Sequence, residues 1–251
     1  MAEQRNNTAE QDSGTPFTRP GFVVASVLVV VVVLLGVIAA VRIGRSDDAA
    51  APPAASMTAV ATPPVTGVPA DPSASVCGLA GAAGQGTLTA APTVAWEYQG
   101  TTAYPTSPQF GPGRSAPEGY RFCFQHTPEG AAVMAANALA QGSDPEVGAR
   151  WAAYALGKGR YRDQLLTEIG TVTGAPDTRI KIAGVRILGY DGTTARVDLA
   201  TRVSSQNQNL VVSAVYELVW QADDWKISAD VQRPLDTSTI PDLSGYLPWG
   251  E

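Results

Sequence analysis

Polar and apolar positions alternate with different periods along this chain, and the period changes mark its parts. Residues 1–20 are polar with no apolar periodicity, which reads as a disordered tail. Phe22 to Val41 is then an uncharged apolar run, FVVASVLVVVVVLLGVIAAV. At ~1.5 Å per residue, ~20 residues cover the ~30 Å of a bilayer core, so residues 21–41 are expected to form one transmembrane helix. A cleaved signal peptide is the competing reading, but its apolar core usually spans only ~7–15 residues. Arg5 and Arg19 precede the run and Arg42 and Arg45 follow it, so flanking charge leaves the orientation nearly balanced. Residues 42–75 carry prolines at 52, 53, 63, 64, 69 and 72 and predict an extended, semi-rigid spacer.

Beyond the spacer, residues 76–126 mix Gly and Pro with single aromatics and predict an irregular lobe with short β pieces at Thr93 to Tyr98 and Tyr120 to Phe124. Helical patterning begins at Thr127-Pro128-Glu129, with an N-cap threonine, a proline at the first helical position and an acid in the first turn. Ser143 and Glu146 have capping-box spacing before Val147, Trp151 and Tyr154, and a third helix is expected from Tyr161 to Ile169. After Gly174 the period becomes strand-like. Arg179 to Tyr190, Thr194 to Val203, Asn209 to Trp220 and Trp225 to Val231 read as a meander, with turns at Asp191-Gly192 and Gln221 to Asp224. Helices followed by strands predict an α+β roll over residues 127–235, with 236–251 as a C-terminal tail.

Cys77 and Cys123 are the only cysteines, and a disulfide between them is the economical reading. Such a bond puts the bulk of the chain outside the cytoplasm, in a cell-membrane protein with an extracytoplasmic C-terminal domain. Two unrelated buried thiols are the alternative, and with His126 the one further Cys or His near either cysteine, the ligands that would suggest a metal are too few. The net charge of −6, with Lys158, Lys181 and Lys226 the only lysines, gives no basic stripe, so no nucleic-acid surface is expected.

The helix-then-meander order, closing in Leu218-Val219-Trp220-Gln221-Ala222-Asp223-Asp224-Trp225-Lys226-Ile227, resembles the cone-shaped roll of the nuclear transport factor and ketosteroid isomerase superfamily. That resemblance implies about three helices packed on a curved antiparallel sheet of about four strands. With the anchor, the whole chain resembles membrane-anchored conjugative-transfer proteins of the TcpC type, although those carry two rolls. More narrowly, Val76-Cys77-Gly78-Leu79, Gly111-Pro112, Cys123-Phe124, Thr127-Pro128-Glu129-Gly130-Ala131 and Tyr246-Leu247-Pro248-Trp249-Gly250 are similar to an uncharacterised family associated with integrative mobile elements. The resemblance implies a non-enzymatic interaction or scaffold domain in a type IV secretion-like assembly, with the membrane and other transfer-machinery proteins as partners; homo-oligomerisation is left open. A small-molecule or lipid-binding cone with isomerase-like chemistry is the alternative, and Tyr154, Tyr216 and Glu217 are its cone-lining candidates.

No catalytic residue, cofactor or metal site is assigned. His126, the only histidine, precedes a helix cap and reads as a surface or cap-side residue, and Asp223-Asp224 reads as a turn. Gly81, Gly84 and Gly86 lack the flanking strand and helix of a phosphate loop. Tyr246 and Trp249 are docking candidates, because rigid aromatics give much contact area for few rotors; packing the tail back onto the domain is the alternative.

Overall fold

The computed structural model describes residues 74–169, 178–205 and 208–251. The apolar run at 22–41 and nearly all of the spacer lie outside the described residues. Among those described, no helix is long and apolar enough to cross a membrane.

Two small antiparallel hairpins come first: β1 (Ala95–Gln99) with β2 (Thr102–Thr106), and β3 (Arg114–Ser115) with β4 (Arg121–Phe122). Three helices follow: α1 (Pro128–Gly142), α2 (Gly148–Ala155) and α3 (Arg162–Ile169). The chain then builds its main sheet from β5 (Thr178–Tyr190), β6 (Thr194–Ser205), β7 (Gln208–Gln221), β8 (Asp224–Ile227), β9 (Leu235–Ile240) and β10 (Leu247–Pro248). The sheet is six-stranded and antiparallel, ordered β10-β5-β6-β7-β8, with β9 also paired to β7. β8 and β9 share the same side of β7, β8 against residues 218–221 and β9 against residues 211–216.

This corrects the expected architecture. A cone of helices on four strands does not form; three short helices lie on one large six-stranded sheet, and the residues read as a tail supply β9 and β10. The physical reason is tertiary. Leu235-Asp236-Thr237-Ser238-Thr239-Ile240 has little apolar alternation, and its extended form comes from pairing with β7, which periodicity alone does not reveal.

α1 begins where the sequence indicates: Thr127 Oγ1 accepts from Gly130 N at 3.2 Å, and Pro128 opens the first turn. From Pro128 to Gln141 every residue except Glu129 is buried, which an alanine-rich helix permits because small side chains let neighbours approach from all sides. α2 starts differently from the expected capping box. Asp144 Oδ1 accepts from Glu146 N and Val147 N at 2.7 and 3.1 Å, while Ser143 donates back to Ala140 O. The inner face of the sheet presents Ala195, Val197, Leu199, Val203, Val212, Ala214, Tyr216 and Leu218 to the core shared with α1 and Trp151.

The hairpin lobe is fastened to α1 by buried amides. Gln141 straddles the Arg121 main chain, accepting from its N at 2.5 Å and donating to its O at 3.2 Å. Asn137 donates to Pro105 O and accepts from Arg121 Nε, and the Arg121 guanidinium covers the Tyr104 ring. Each buried polar group thereby regains the bonds it gives up to water.

A Cβ built on Gly130 would lie 1.9 Å from Gln125 O. Helix propensity alone favours alanine there by ~1 kcal/mol. Packing dominates, so Gly130→Ala should destabilise the protein by about 1–3 kcal/mol in urea unfolding; a gain in stability would show that the turn before α1 does not pack this closely.

Candidate functional site

The most constrained cluster lies where β7 turns into β8. Ala222 and Asp223 both adopt the left-handed region, with φ of 53° and 57°, which gives a tight two-residue turn. Asp224, first residue of β8, is fully buried. Its carboxylate accepts from Phe124 N at 2.8 Å, Tyr154 Oη at 2.8 Å, Cys123 N at 3.0 Å and Trp225 N at 3.0 Å. Cys123 has φ of 71°, and this backbone presents two successive N–H groups to one carboxylate. The sequence reading of Asp223-Asp224 as a turn holds for Asp223 alone.

Lys226, two residues on, is 5% exposed. Its Nζ lies 4.0 Å from Asp224 Oδ2 and 3.1 Å from the centroid of the Tyr154 ring, a cation–π position. Tyr154 is walled by Tyr120 and Phe122 at 5.2 and 5.1 Å. Burial pushes the Lys226 amine down to about 8 against the pull of Asp224, with Arg162 lowering it further. Burial raises the Asp224 carboxyl, opposed by Lys226 and its hydrogen bonds, and burial together with Asp224 raises the Tyr154 hydroxyl.

The disulfide sits over this cluster. Cys77 and Cys123 are bonded, Ser75 Oγ lies 3.1 Å from Cys123 Sγ, and Val76 N donates to Asp223 O at 2.7 Å. The segment leaving the spacer is therefore attached at the same turn that Asp224 organises.

A second buried carboxylate, Asp198, lies on the sheet face away from the helices. It accepts from Arg186 Nε at 2.9 Å, Ser213 Oγ at 2.7 Å and Tyr246 Oη at 2.7 Å. The Arg186 guanidinium also covers the Tyr246 ring at 4.2 Å. A Cβ on Gly184 would come within 2.9 Å of Tyr246 Cβ, so the strap crosses here because position 184 has no side chain. Trp249 is 6% exposed, donates from Nε1 to Pro92 O at 3.1 Å and meets Trp96 edge-on at 5.3 Å. Both docking candidates are thus engaged within the domain, holding the C-terminal strap across the sheet.

The three cone-lining candidates do not converge. Tyr154 bonds Asp224, and Tyr216, 3% exposed, faces the core, where burial raises its hydroxyl pKa. Glu217 faces the opposite side and pairs with Arg196 at 2.6 Å. His126 stacks on Trp220 at 3.8 Å and bonds Gly192 O through Nε2, while its buried Nδ1 has no hydrogen-bond partner. Among the described residues no group of three or more His, Cys, Asp or Glu could hold a metal ion.

Sequence patterning places Asp198 on a polar strand face and Asp224 in a turn and gives Lys226 no role, so none of the three stands out as a buried charge. The usable signal was Lys226 itself, a lysine flanked by Trp225 and Ile227 inside a short apolar strand.

The model of the family DUF8175, a domain of unknown function, matches residues 58–248, and the chain belongs to that family. No curated protein and no solved structure matches it.

Two outcomes are expected. Between about pH 8 and the ordinary lysine range near ~10.4, the unfolded chain holds a proton on Lys226 that the folded chain has shed. Wild-type unfolding free energy, measured against Lys226→Met, should therefore rise with pH across that window; a flat or falling difference would show a folded amine that titrates normally. Tyr246→Phe leaves Asp198 one donor short and should lower stability by about 1–3 kcal/mol in urea unfolding; an unchanged midpoint would show the strap to be held elsewhere.

Proposed function

We propose that this DUF8175 member is a non-enzymatic, single-pass envelope protein whose extracytoplasmic sheet domain serves as an interaction scaffold in a conjugative-transfer, type IV secretion-like assembly. The observation that carries the reading is the Cys77–Cys123 disulfide, formed close to the point where the Pro-rich stretch meets the folded domain. Structural disulfides persist in oxidising compartments, and this one follows an apolar run of membrane-spanning length. Its position favours a domain presented on a tether.

In this reading the run at 22–41 anchors the chain and the spacer sets its reach, at ~3.1 Å per residue where it is polyproline-like. The domain at its end is rigid, because both buried carboxylates bind segments that would otherwise be loose: Asp224 the end of the hairpin lobe, Asp198 the C-terminal strap. A scaffold needs such stiffness, since partners docking on a mobile surface lose affinity to ordering. The partners are other components of the transfer machinery.

A photo-crosslinking residue at Tyr98, 62% exposed on β1, tests this in the membrane-embedded full chain. Capture of a transfer ATPase or channel component is the expected result. Topology is checked separately with a membrane-impermeant thiol reagent on intact cells: Cys77 and Cys123 should label only after reduction from outside. Free labelling from the cytoplasmic side would overturn the topology, and an absence of transfer components among the captured proteins would overturn the assembly role.

A further inference from the structure

The main sheet treats its edges unequally. Along β8, Gly157 N donates to Ile227 O and Tyr161 N to Ala229 O, both at 2.9 Å, so the segment between α2 and α3 covers that edge. Along β5, β10 pairs with Val185 and Gly184, Trp249 N donates to Ala183 O, and Glu251 pairs with Lys181. β9 has no such cover: it pairs with β7, and among the described residues nothing bonds to the backbone of its outer side. An exposed row of N–H and C=O groups is a template for another strand.

The register identifies that row. Glu217 N donates to Pro234 O, so Glu217 and Pro234 form a hydrogen-bonded pair. Such pairs alternate in an antiparallel ladder, so Asp236, Ser238 and Ile240 bond to β7 while Leu235, Thr237 and Thr239 direct their backbone groups outward. β9 has no lysine and no irregularity in its pairing with β7, devices that blunt natural edges; Pro234 and Pro241 flank it instead.

We propose that β9 is a strand-pairing edge through which two copies of this chain associate about a two-fold axis at Thr237, joining their main sheets into one. The proposal rests on reading the domain as an interaction module and names its first partner, a second copy. Self-complementarity selects that occupant. With Thr237 on the axis, Thr237 faces its own copy and each Leu235 faces a Thr239, so every outward N–H of β9 meets a C=O. Asp236 then lies opposite Ser238. Shifting the axis to Asp236 would oppose like charges directly, and shifting it to Ser238 would set Leu235 against Pro241, which has no N–H to give. Tethering to one membrane raises the effective concentration of one copy for another, which favours an interface this small.

The test uses the full chain in its membrane. Both native cysteines are bonded to each other, so a single introduced cysteine is a clean reporter. On the axis, paired residues from the two copies bring their Cβ atoms to about 4.5–5.5 Å. Thr237→Cys should therefore give homodimers with a short bis-maleimide at least about tenfold more efficiently than Tyr98→Cys, an exposed position on β1. Thr237→Pro removes an N–H that faces away from β7, so it should lower the dimer fraction of the detergent-purified chain about tenfold with the melting temperature retained. If that variant melts early, Ser238→Asp supplies the same reading, because residue 238 faces Asp236 of the other copy and like charges directly opposite repel. Equal crosslinking at residues 237 and 98, a monomeric wild-type chain, or dimers unaffected by both edge variants would overturn the proposal. Capture of transfer components from Tyr98 without self-crosslinks at 237 would overturn it and leave the scaffold reading standing.

Discussion

The Asp224 carboxylate is the constraint on which the rest of the structure depends. A buried carboxylate costs several kcal/mol unless hydrogen bonds and a counter-charge replace its water. Its replacements come from separate stretches of chain: the 123–124 main chain, the α2 hydroxyl of Tyr154, and Trp225 and Lys226 of its own strand. None of the distant groups is in place until the hairpin lobe, the helices and the sheet have met. Asp224 therefore ties their positions together, and its bonds to the Cys123 and Phe124 N–H groups hold Cys123 in a backbone conformation that a non-glycine residue rarely adopts. The lysine beside it would be difficult to account for on its own; next to a carboxylate and over a tyrosine face it keeps the cluster near neutral charge.

The same logic closes the outer face. Asp198 alternates to the side away from the helices, where a strand residue ordinarily meets water, and it is buried because the C-terminal strap crosses above it. Arg186 bonds that carboxylate and stacks on the ring of the tyrosine that also bonds it, so one guanidinium fixes both charge and geometry. Beyond Tyr246 the chain becomes β10 and caps β5. The sheet is thus pinned through two buried acids, one on β6 and one at the start of β8, each gathering a segment that lies far away in sequence.

Much of the local structure was legible and much of the tertiary structure was not. Thr127-Pro128-Glu129 marks the start of α1, Asp191-Gly192 the β5–β6 hairpin, and Gln221 to Asp224 the next turn, because capping and turn chemistry act within a few residues. The disulfide followed from an even cysteine count. β9 and β10 were not legible: their strand form derives from β7 and β5, and neither segment shows useful alternation. Those two strands separate the observed sheet from the expected four-stranded cone. The buried acids were missed for the same reason. Asp198 sits on a polar face and Asp224 at a turn, so burial came from segments whose arrival local patterning does not encode. Tyr246 and Trp249 were conspicuous as aromatics, and the structure shows what they grip.

The place of the disulfide bears on how a tethered domain could carry load. A pull on the chain before Ser75 meets the hydrogen bonds of Ser75 and Val76 and then the Cys77–Cys123 bond, which passes it covalently to Cys123. Cys123 passes it along its own main chain into β4 and towards α1, with its N–H bonded to Asp224 beside the β7–β8 turn. That path runs beside the β7–β8 turn, residues 221–224, whereas β9 pairs with residues 211–216 of β7. A strand loaded along its length at one end keeps its pairing register elsewhere, since slipping would require breaking every ladder bond to β6 at once. An interaction edge at β9, as proposed above, would thus keep its register if the proposed tether were pulled.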